Sequence, residues 1–64
     1  MSRDGLVAIV PAWNEAAAIG MVVDEIRSVR SDIEVVVVDD ASLDDTAEIA
    51  EGRGATVLRL PFNV

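Results

Sequence analysis

Residues 33–40 read IEVVVVDD and predict a β-strand that is buried on both faces and ends in two aspartates. The valine run is β-branched and continuous, which is typical of parallel strands covered on both sides. Two further short apolar runs, residues 6–10 and 55–60, predict one strand before it and one after it. Pro61 ends the last run, because proline has no N–H to donate to a sheet ladder.

A helix is predicted between the first two strands. Its apolar residues recur at spacings of three and four and so share one face: Ile19, Val22, Val23, Ile26 and Val29. Gly20 weakens this helix by up to ~1 kcal/mol relative to alanine.

A second helix is predicted between the last two strands. Ser42 and Asp45 have the spacing of a capping box, with Asp in place of the usual Glu or Gln, and the helix continues through Ala50. Gly52 and Gly54 are expected to end it, because glycine readily adopts a left-handed or flexible backbone.

The order strand-helix-strand-helix-strand predicts an α/β fold with a parallel sheet. Parallel crossovers are almost always right-handed, so a strand order of third, second, first would place both helices on one face. The opposite, largely Val/Ile face would then be bare. A bare apolar face of that kind does not persist in water, so we expect more chain or a second copy of this chain to cover it.

Composition limits the chemistry that is available. The 64 residues carry twelve acids against five arginines, a net charge of -7, and contain no cysteine or histidine. Disulfides, thiolate sites and imidazole sites are excluded, which leaves carboxylates as the strong metal ligands. Since no basic face can form, we do not expect a nucleic-acid partner.

Ligands of open α/β sheets bind beyond the carboxyl ends of the strands, where residues 11–15 and 39–46 should lie side by side. Residues 11–15 contain no glycine, which argues against a dinucleotide fingerprint or a P-loop. They suit a nucleoside instead, with Trp13 as a flat wall and Glu15 as an acceptor for sugar hydroxyls. The alternative is an ordinary turn, with Asn14 as helix N-cap, Glu15 in the first turn and Trp13 in the core.

In the second segment, Asp39 and Asp40 should point to opposite sides of the sheet. One would accept a hydrogen bond from a base N–H, and the other would hold the segment together through Ser42, Thr46 or backbone amides. The alternative is a pair of acidic turn residues that cap a helix. Asp44 and Asp45 are interpreted mainly as charges at the helix start. Acids at both helix starts disfavour unaided phosphate binding, so a nucleotide diphosphate would need a divalent metal.

Two motifs resemble those of family 2 glycosyltransferases. Residues 7–15, VAIVPAWNE, are similar to that family's opening strand and Pro-x-Tyr-Asn-Glu loop. Residues 36–46, VVVDDASLDDT, are similar to its Val-Asp-Asp-x-Ser-x-Asp-x-Thr signature. The resemblance covers nearly the whole chain. It implies that residues 1–64 are the first β-α-β-α-β portion of a GT-A fold, a three-layer Rossmann-like parallel sheet, and supply its nucleotide-sugar-binding part.

The resemblance also implies an activity and a site. The family transfers sugars from UDP- or GDP-linked donors to lipid-phosphate or saccharide acceptors, usually with a divalent metal. The residues that would line the base and ribose pocket are Pro11, Trp13, Glu15, Val38 and Asp40, with Asp40 against the base. Trp13 stands where relatives have tyrosine, so an indole N–H replaces the phenol hydroxyl there. Within the family, the chain resembles polyprenyl-phosphate sugar transferases and related enzymes of the cell envelope.

No catalytic residue and no metal ligand is expected within these residues, because the family's Asp-x-Asp motif and catalytic base follow later in the chain. We therefore expect part of a longer enzyme, inactive alone, whose Mg²⁺ or Mn²⁺ is held elsewhere, and which works in the cytoplasm or at the inner face of the membrane. Two alternatives stand beside it. One is a non-catalytic nucleotide-binding or assembly module that associates through the bare face. The other, a signalling receiver domain, is disfavoured because its acid pair would follow the first strand.

Overall fold

A computed structural model describes residues 5–61; residues 1–4 and 62–64 lie outside it. The elements are β1 (Val7–Ala12), α1 (Ile19–Val29), β2 (Glu34–Asp39), α2 (Thr46–Gly52) and β3 (Thr56–Arg59). The strands form one parallel sheet in the order β1-β2-β3. The predicted α/β class and element order are confirmed, and the strand order is the one for which both helices are expected on one face.

Strand β1 runs two residues further than predicted, through Pro11 to Ala12. Leu6 and Ala12 both offer their carbonyl oxygens to β2, to the N–H groups of Glu34 and Asp40. The backbone N–H and C=O groups of the even-numbered residues of β1 therefore point toward β2. Pro11 has an odd number, so its backbone nitrogen points toward the opposite edge of the strand. The missing N–H of proline costs no β1-β2 hydrogen bond, which is why the strand continues through it.

Both helices pack on the same face of the sheet. Along β2, Val35, Val37 and Asp39 are buried while the residues between them are half-buried. The buried core joins both helices to this face: Ala12, Ile19, Val23, Val35, Val37, Ala50 and Ala55. The described residues thus form two layers, the sheet and one helical layer.

The other face of the sheet is bare within residues 5–61. Ile9 of β1 is 69% exposed and Leu58 of β3 is 55% exposed, although both are large and apolar. Val36, which lies on β2 between these strands, is half-buried. The prediction of a bare apolar face is confirmed for this part of the chain.

Helix α1 begins later than a cap at Asn14 would place it. Residues 16–18 form a turn, and the carbonyl of Glu15 accepts the N–H groups of Ala18 and Ile19 before the helix starts. Gly20 lies where α1 meets α2: an added Cβ would be 3.0 Å from Arg53 Cζ and 3.2 Å from Ile49 Cγ2. The glycine that weakens the isolated helix therefore permits the two helices to approach.

The predicted capping box of α2 is wrong. The helix begins at Thr46, so Asp45 occupies the cap position, and its side chain makes no capping hydrogen bond. Ser42 lies too far before the helix to cap it. At the other end, Gly54 has a left-handed backbone with φ of 93°, as expected, whereas Gly52 does not and is the last helical residue.

Candidate functional site

The first loop, residues 13–18, and the second loop, residues 40–45, lie side by side beyond the carboxyl ends of β1 and β2. Four hydrogen bonds, called here the inter-loop bonds, join the first loop to the second loop and to the first residue of α2. The predicted proximity of these segments is confirmed.

Three inter-loop bonds use consecutive backbone amides of the first loop as donors. Their acceptors are side-chain oxygens from the other segment. The pairs are Asn14 N to Ser42 Oγ at 2.8 Å, Glu15 N to Thr46 Oγ1 at 2.8 Å, and Ala16 N to Asp44 Oδ2 at 3.1 Å. The second loop and Thr46 thus hold the backbone of the first loop and leave the side chains at positions 13 and 15 outside these bonds.

The fourth inter-loop bond runs the other way, from the N–H of Leu43 to Asn14 Oδ1 at 2.8 Å. Asn14 has φ of 52°, in the left-handed region, which asparagine tolerates better than most residues. The proposed role of Asn14 as a helix N-cap is therefore wrong, because its side chain binds the second loop instead.

Asp44 connects the first loop to the start of α2. Its Oδ2 accepts the N–H of Ala16, while its Oδ1 accepts the N–H of Thr46 at 3.0 Å and also the Thr46 hydroxyl. The hydrogen bond from the Thr46 side chain, followed by backbone N–H bonds, lowers the pKa of the Asp44 carboxyl. The predicted charge lies at the helix start, and the same carboxylate also accepts a hydrogen bond from the first loop.

Asp39 and Asp40 follow each other at the end of β2 and differ in burial. Asp39 is buried on the helical side, where its Oδ1 accepts the N–H of Ser42 at 3.2 Å and holds the turn. Ala41 follows with φ of 59° and donates its N–H to the carbonyl of Asp39. Asp40 continues the face directed away from the helices and is half-buried.

The predicted nucleoside-binding residues lie around this rim. Pro11 and Val38 are register partners on adjacent strands, on the face away from the helices, and Asp40 follows two residues after Val38. Trp13, which is 53% exposed, and the exposed Glu15 are on the first loop. The alternative placing of Trp13 in the core is wrong.

The rim is open and acidic. Residues 5–61 enclose no cavity and contain no group of three or more acidic side chains placed to hold a metal ion. The arginines of the described region are engaged elsewhere: Arg27 with Gly54, Arg30 with Asp32, Arg53 with Asp24 and Gly20, and Arg59 with Glu48 and Glu51. Neither described helix is long and apolar enough to cross a membrane.

Sequence reasoning missed that Ser42, Asp44 and Thr46 act together as acceptors for the first loop. Oxygen-bearing side chains at spacings of two, Ser-x-Asp-x-Thr, were the available signal. Such residues commonly bond to nearby backbone, so the sequence favours local roles: a cap for Ser42, a helix-start charge for Asp44, and contacts within their own segment for Ser42 and Thr46. The structure uses all three for contacts between the loops.

An α/β sheet whose loops meet at its carboxyl edge defines a class of proteins that bind ligands at that edge. Within this class, the sequence profile described as glycosyl transferase family 2 matches residues 7–64, and the chain belongs to that family. The GT-A portion expected from sequence agrees with the observed parallel sheet and its two helices.

Individual relatives agree with this assignment. The chain is 36% identical over 57 residues to Protein RfbJ of Shigella flexneri, covering 89% of this chain and 44% of that protein. It is 40% identical over 57 residues to a 4,4'-diaponeurosporenoate glycosyltransferase of Staphylococcus aureus, covering 89% of this chain and 15% of that enzyme. An uncharacterized protein of Methanocaldococcus jannaschii is 37% identical over 63 residues, which cover 98% of this chain and 26% of that protein. The chain thus spans less than half the length of these relatives.

Proposed function

We propose that this chain supplies base and ribose binding to a glycosyltransferase that takes a sugar from a UDP- or GDP-linked donor. The acceptor would be a lipid phosphate or a saccharide. The observation that carries this proposal is the set of inter-loop bonds, which hold the loop of Trp13 beside the loop of Asp40 at the carboxyl edge of the sheet. Membership of the glycosyl transferase family supports the reaction class.

Each rim residue has a role that fits its chemistry. Trp13 presents a flat apolar face on which a base can stack, and Asp40 can accept a hydrogen bond from a base N–H. Glu15 can accept hydrogen bonds from ribose hydroxyls. Pro11 and Val38 are paired across adjacent strands and form an apolar floor under the nucleoside.

The diphosphate of such a donor needs a counter-charge that residues 5–61 do not offer. The described arginines are paired elsewhere, and these residues do not fit a metal, because no cluster of three acids is formed. We propose that Mg²⁺ or Mn²⁺ is held by residues outside this segment, in an enzyme at the cytoplasmic face of the membrane.

Calorimetry tests the proposal with UDP and GDP in the presence of Mn²⁺, on this chain and on the full-length protein that carries it. Asp40→Asn removes the acceptor charge at the rim, and Asp32→Asn is the control with the same change of charge outside the site. We expect Asp40→Asn to weaken nucleotide binding by about tenfold or more, since a hydrogen bond to a charged group contributes ~1.5–3 kcal/mol. Binding of neither nucleotide, or equal binding by both variants, would reject the proposal.

A second candidate function is a non-catalytic assembly module that associates through the bare face. The exposure of Ile9 and Leu58 favours it, because large apolar patches are common at interfaces. Sugar transfer by the full-length protein, lost in Asp40→Asn, would decide for the enzyme. Nucleotide binding without transfer, together with concentration-dependent association, would decide for the module.

A further inference from the structure

We infer that Asn14 and Asp44 are positioning residues, which set the placement of Trp13 relative to Asp40 without contacting the nucleotide. This inference rests on the proposed function. It concerns two residues outside the predicted pocket, whose side chains are both engaged in the inter-loop bonds.

Trp13 has little else to fix its position. Its side chain is half exposed and takes no part in the buried core, so core packing does not fix it. The backbone of the first loop is anchored at Ala12 by the sheet and at Glu15 by the carbonyl that begins the α1 turn. Between those anchors, the two bonds of Asn14 to the second loop set where the indole ring lies, and the bond from Ala16 to Asp44 holds the backbone that follows.

Asn14 acts directly beside Trp13. Its backbone N–H donates to Ser42, and its side-chain oxygen accepts from Leu43, so one residue forms two bonds to consecutive residues of the second loop. Asn14 makes both bonds from a left-handed backbone. Loss of the side-chain acceptor would leave the N–H of Leu43 without this partner and release one of the two bonds.

Asp44 lies on the second loop and accepts hydrogen bonds with both of its carboxylate oxygens. One accepts from Ala16 of the first loop, and the other accepts from the backbone and hydroxyl of Thr46. An asparagine at this position has only one oxygen, so its NH₂ group would face a donor on one side. The same substitution at Asp45, whose side chain makes no capping bond, changes the charge equally and leaves these contacts intact.

A pair of substitutions at Asn14 isolates the side-chain acceptor. Glycine and aspartate both tolerate the left-handed backbone, but only aspartate keeps an oxygen for the N–H of Leu43. The readouts are near-UV circular dichroism and acrylamide quenching of Trp13, the only tryptophan of these 64 residues, each read against a Trp13→Phe variant as the blank, together with calorimetry using UDP and GDP with Mn²⁺. Measurement at 0.15 M salt, where the Debye length is about 8 Å, limits the effect of the added charge.

In the full-length protein, we expect Asn14→Gly to change the Trp13 signals and weaken nucleotide binding by about fivefold to tenfold. Asn14→Asp should retain both properties, Asp44→Asn should resemble Asn14→Gly, and Asp45→Asn should resemble the wild type. Unchanged binding in Asn14→Gly, or equal loss in Asn14→Gly and Asn14→Asp, would overturn the positioning role alone. Failure of the wild-type protein to bind either nucleotide would overturn the proposed function, and the positioning role with it.

Discussion

The hydroxyl oxygen of Thr46 accepts a 2.8 Å hydrogen bond from the backbone N–H of Glu15, 31 positions away in the sequence. Thr46 is fully buried at the start of α2, whereas Glu15 is exposed at the rim. The same hydroxyl donates to the carboxylate of Asp44. One buried side chain therefore links the helical layer to both loops of the candidate site.

Replacement of Thr46 by valine should lower the free energy of unfolding by about 1–3 kcal/mol, because it removes the hydroxyl that partners two polar groups. Thr46→Ser keeps the hydroxyl and loses only a methyl group. Hydrogen exchange of the Glu15 amide separates the two effects: it should accelerate in Thr46→Val and stay near the wild-type rate in Thr46→Ser. Equal acceleration in both variants would show that the hydroxyl does not protect this amide.

Ala41→Gly should stabilise the protein by up to ~1 kcal/mol. Ala41 has a left-handed backbone, which costs roughly 1–2 kcal/mol for a residue with a Cβ and less for glycine. Ala17, in the turn before α1, has no such conformation, so Ala17→Gly should destabilise by about 0.4–1 kcal/mol. Urea denaturation measures both changes, and shifts of the same sign would contradict the interpretation.

The two helical glycines should respond differently to alanine. At Gly52 an added Cβ meets nothing within 4 Å, so Gly52→Ala should stabilise α2 by up to ~1 kcal/mol through helix propensity. At Gly20 the Cβ would press on Arg53 and Ile49, and this crowding should cancel the gain. Thermal denaturation of the two variants tests the difference, which equal stabilisation would disprove.

Acid should loosen the inter-loop bonds through Asp44. Because its pKa is lowered in the folded protein, its contribution to stability is complete above the ordinary aspartate pKa of about 3.9 and is lost as the pH falls through the folded value. Acrylamide quenching of Trp13 should rise over that range in the wild type. Asp44→Asn should show raised quenching at neutral pH and a smaller change with acid.

The control for this titration is Asp32→Asn. The pKa of Asp32 is also lowered, by its hydrogen bond to Arg30. Asp32, however, precedes β2 and therefore lies at the other end of the sheet from Trp13. Its removal should leave the Trp13 titration unchanged. If the Trp13 titration disappeared in Asp32→Asn and persisted in Asp44→Asn, the effect would come from Asp32, which would contradict the role of Asp44.

The bare face should cause self-association of the isolated chain. Ile9→Thr keeps a β-branched residue in β1 and removes part of the apolar surface, so it should reduce association in sedimentation velocity with little change in stability. Val37→Thr, at a fully buried position of the other face, should instead destabilise strongly, because it buries a hydroxyl. Association that is unaffected by Ile9→Thr would exclude this face as its cause.

The elements of the fold could be predicted because their signals are local and repeated. The valine run of β2 and the three-four spacing of α1 each specify one kind of structure over several residues. For a strand order of third, second, first, right-handed crossovers then placed both helices on one face, and the bare face followed from that arrangement. Errors of one or two residues remained at the ends, as at Pro11, where hydrogen-bond direction decides whether a proline is tolerated.

The candidate site was less predictable, because its bonds join residues about 30 positions apart. Asn14 and Ser42 each had a plausible local role as a helix cap, and the sequence offered no means to choose between that role and a distant partner. The left-handed backbone of Asn14 accompanies its bonds to the second loop. Topology placed the loops together, but the pairing of donors with acceptors required coordinates.

Three of the inter-loop bonds join main-chain amides of the first loop to side chains of Ser42, Thr46 and Asp44. The first loop should therefore tolerate changes of side chain better than these three positions do. The side chains at positions 13 and 15 take no part in these bonds, so under the proposed function they are the positions at which nucleotide selectivity could be altered with the inter-loop bonds kept. Insertion or deletion of a single residue there would shift every amide past its acceptor. The length of the first loop is therefore more tightly constrained than the side chains at positions 13 and 15.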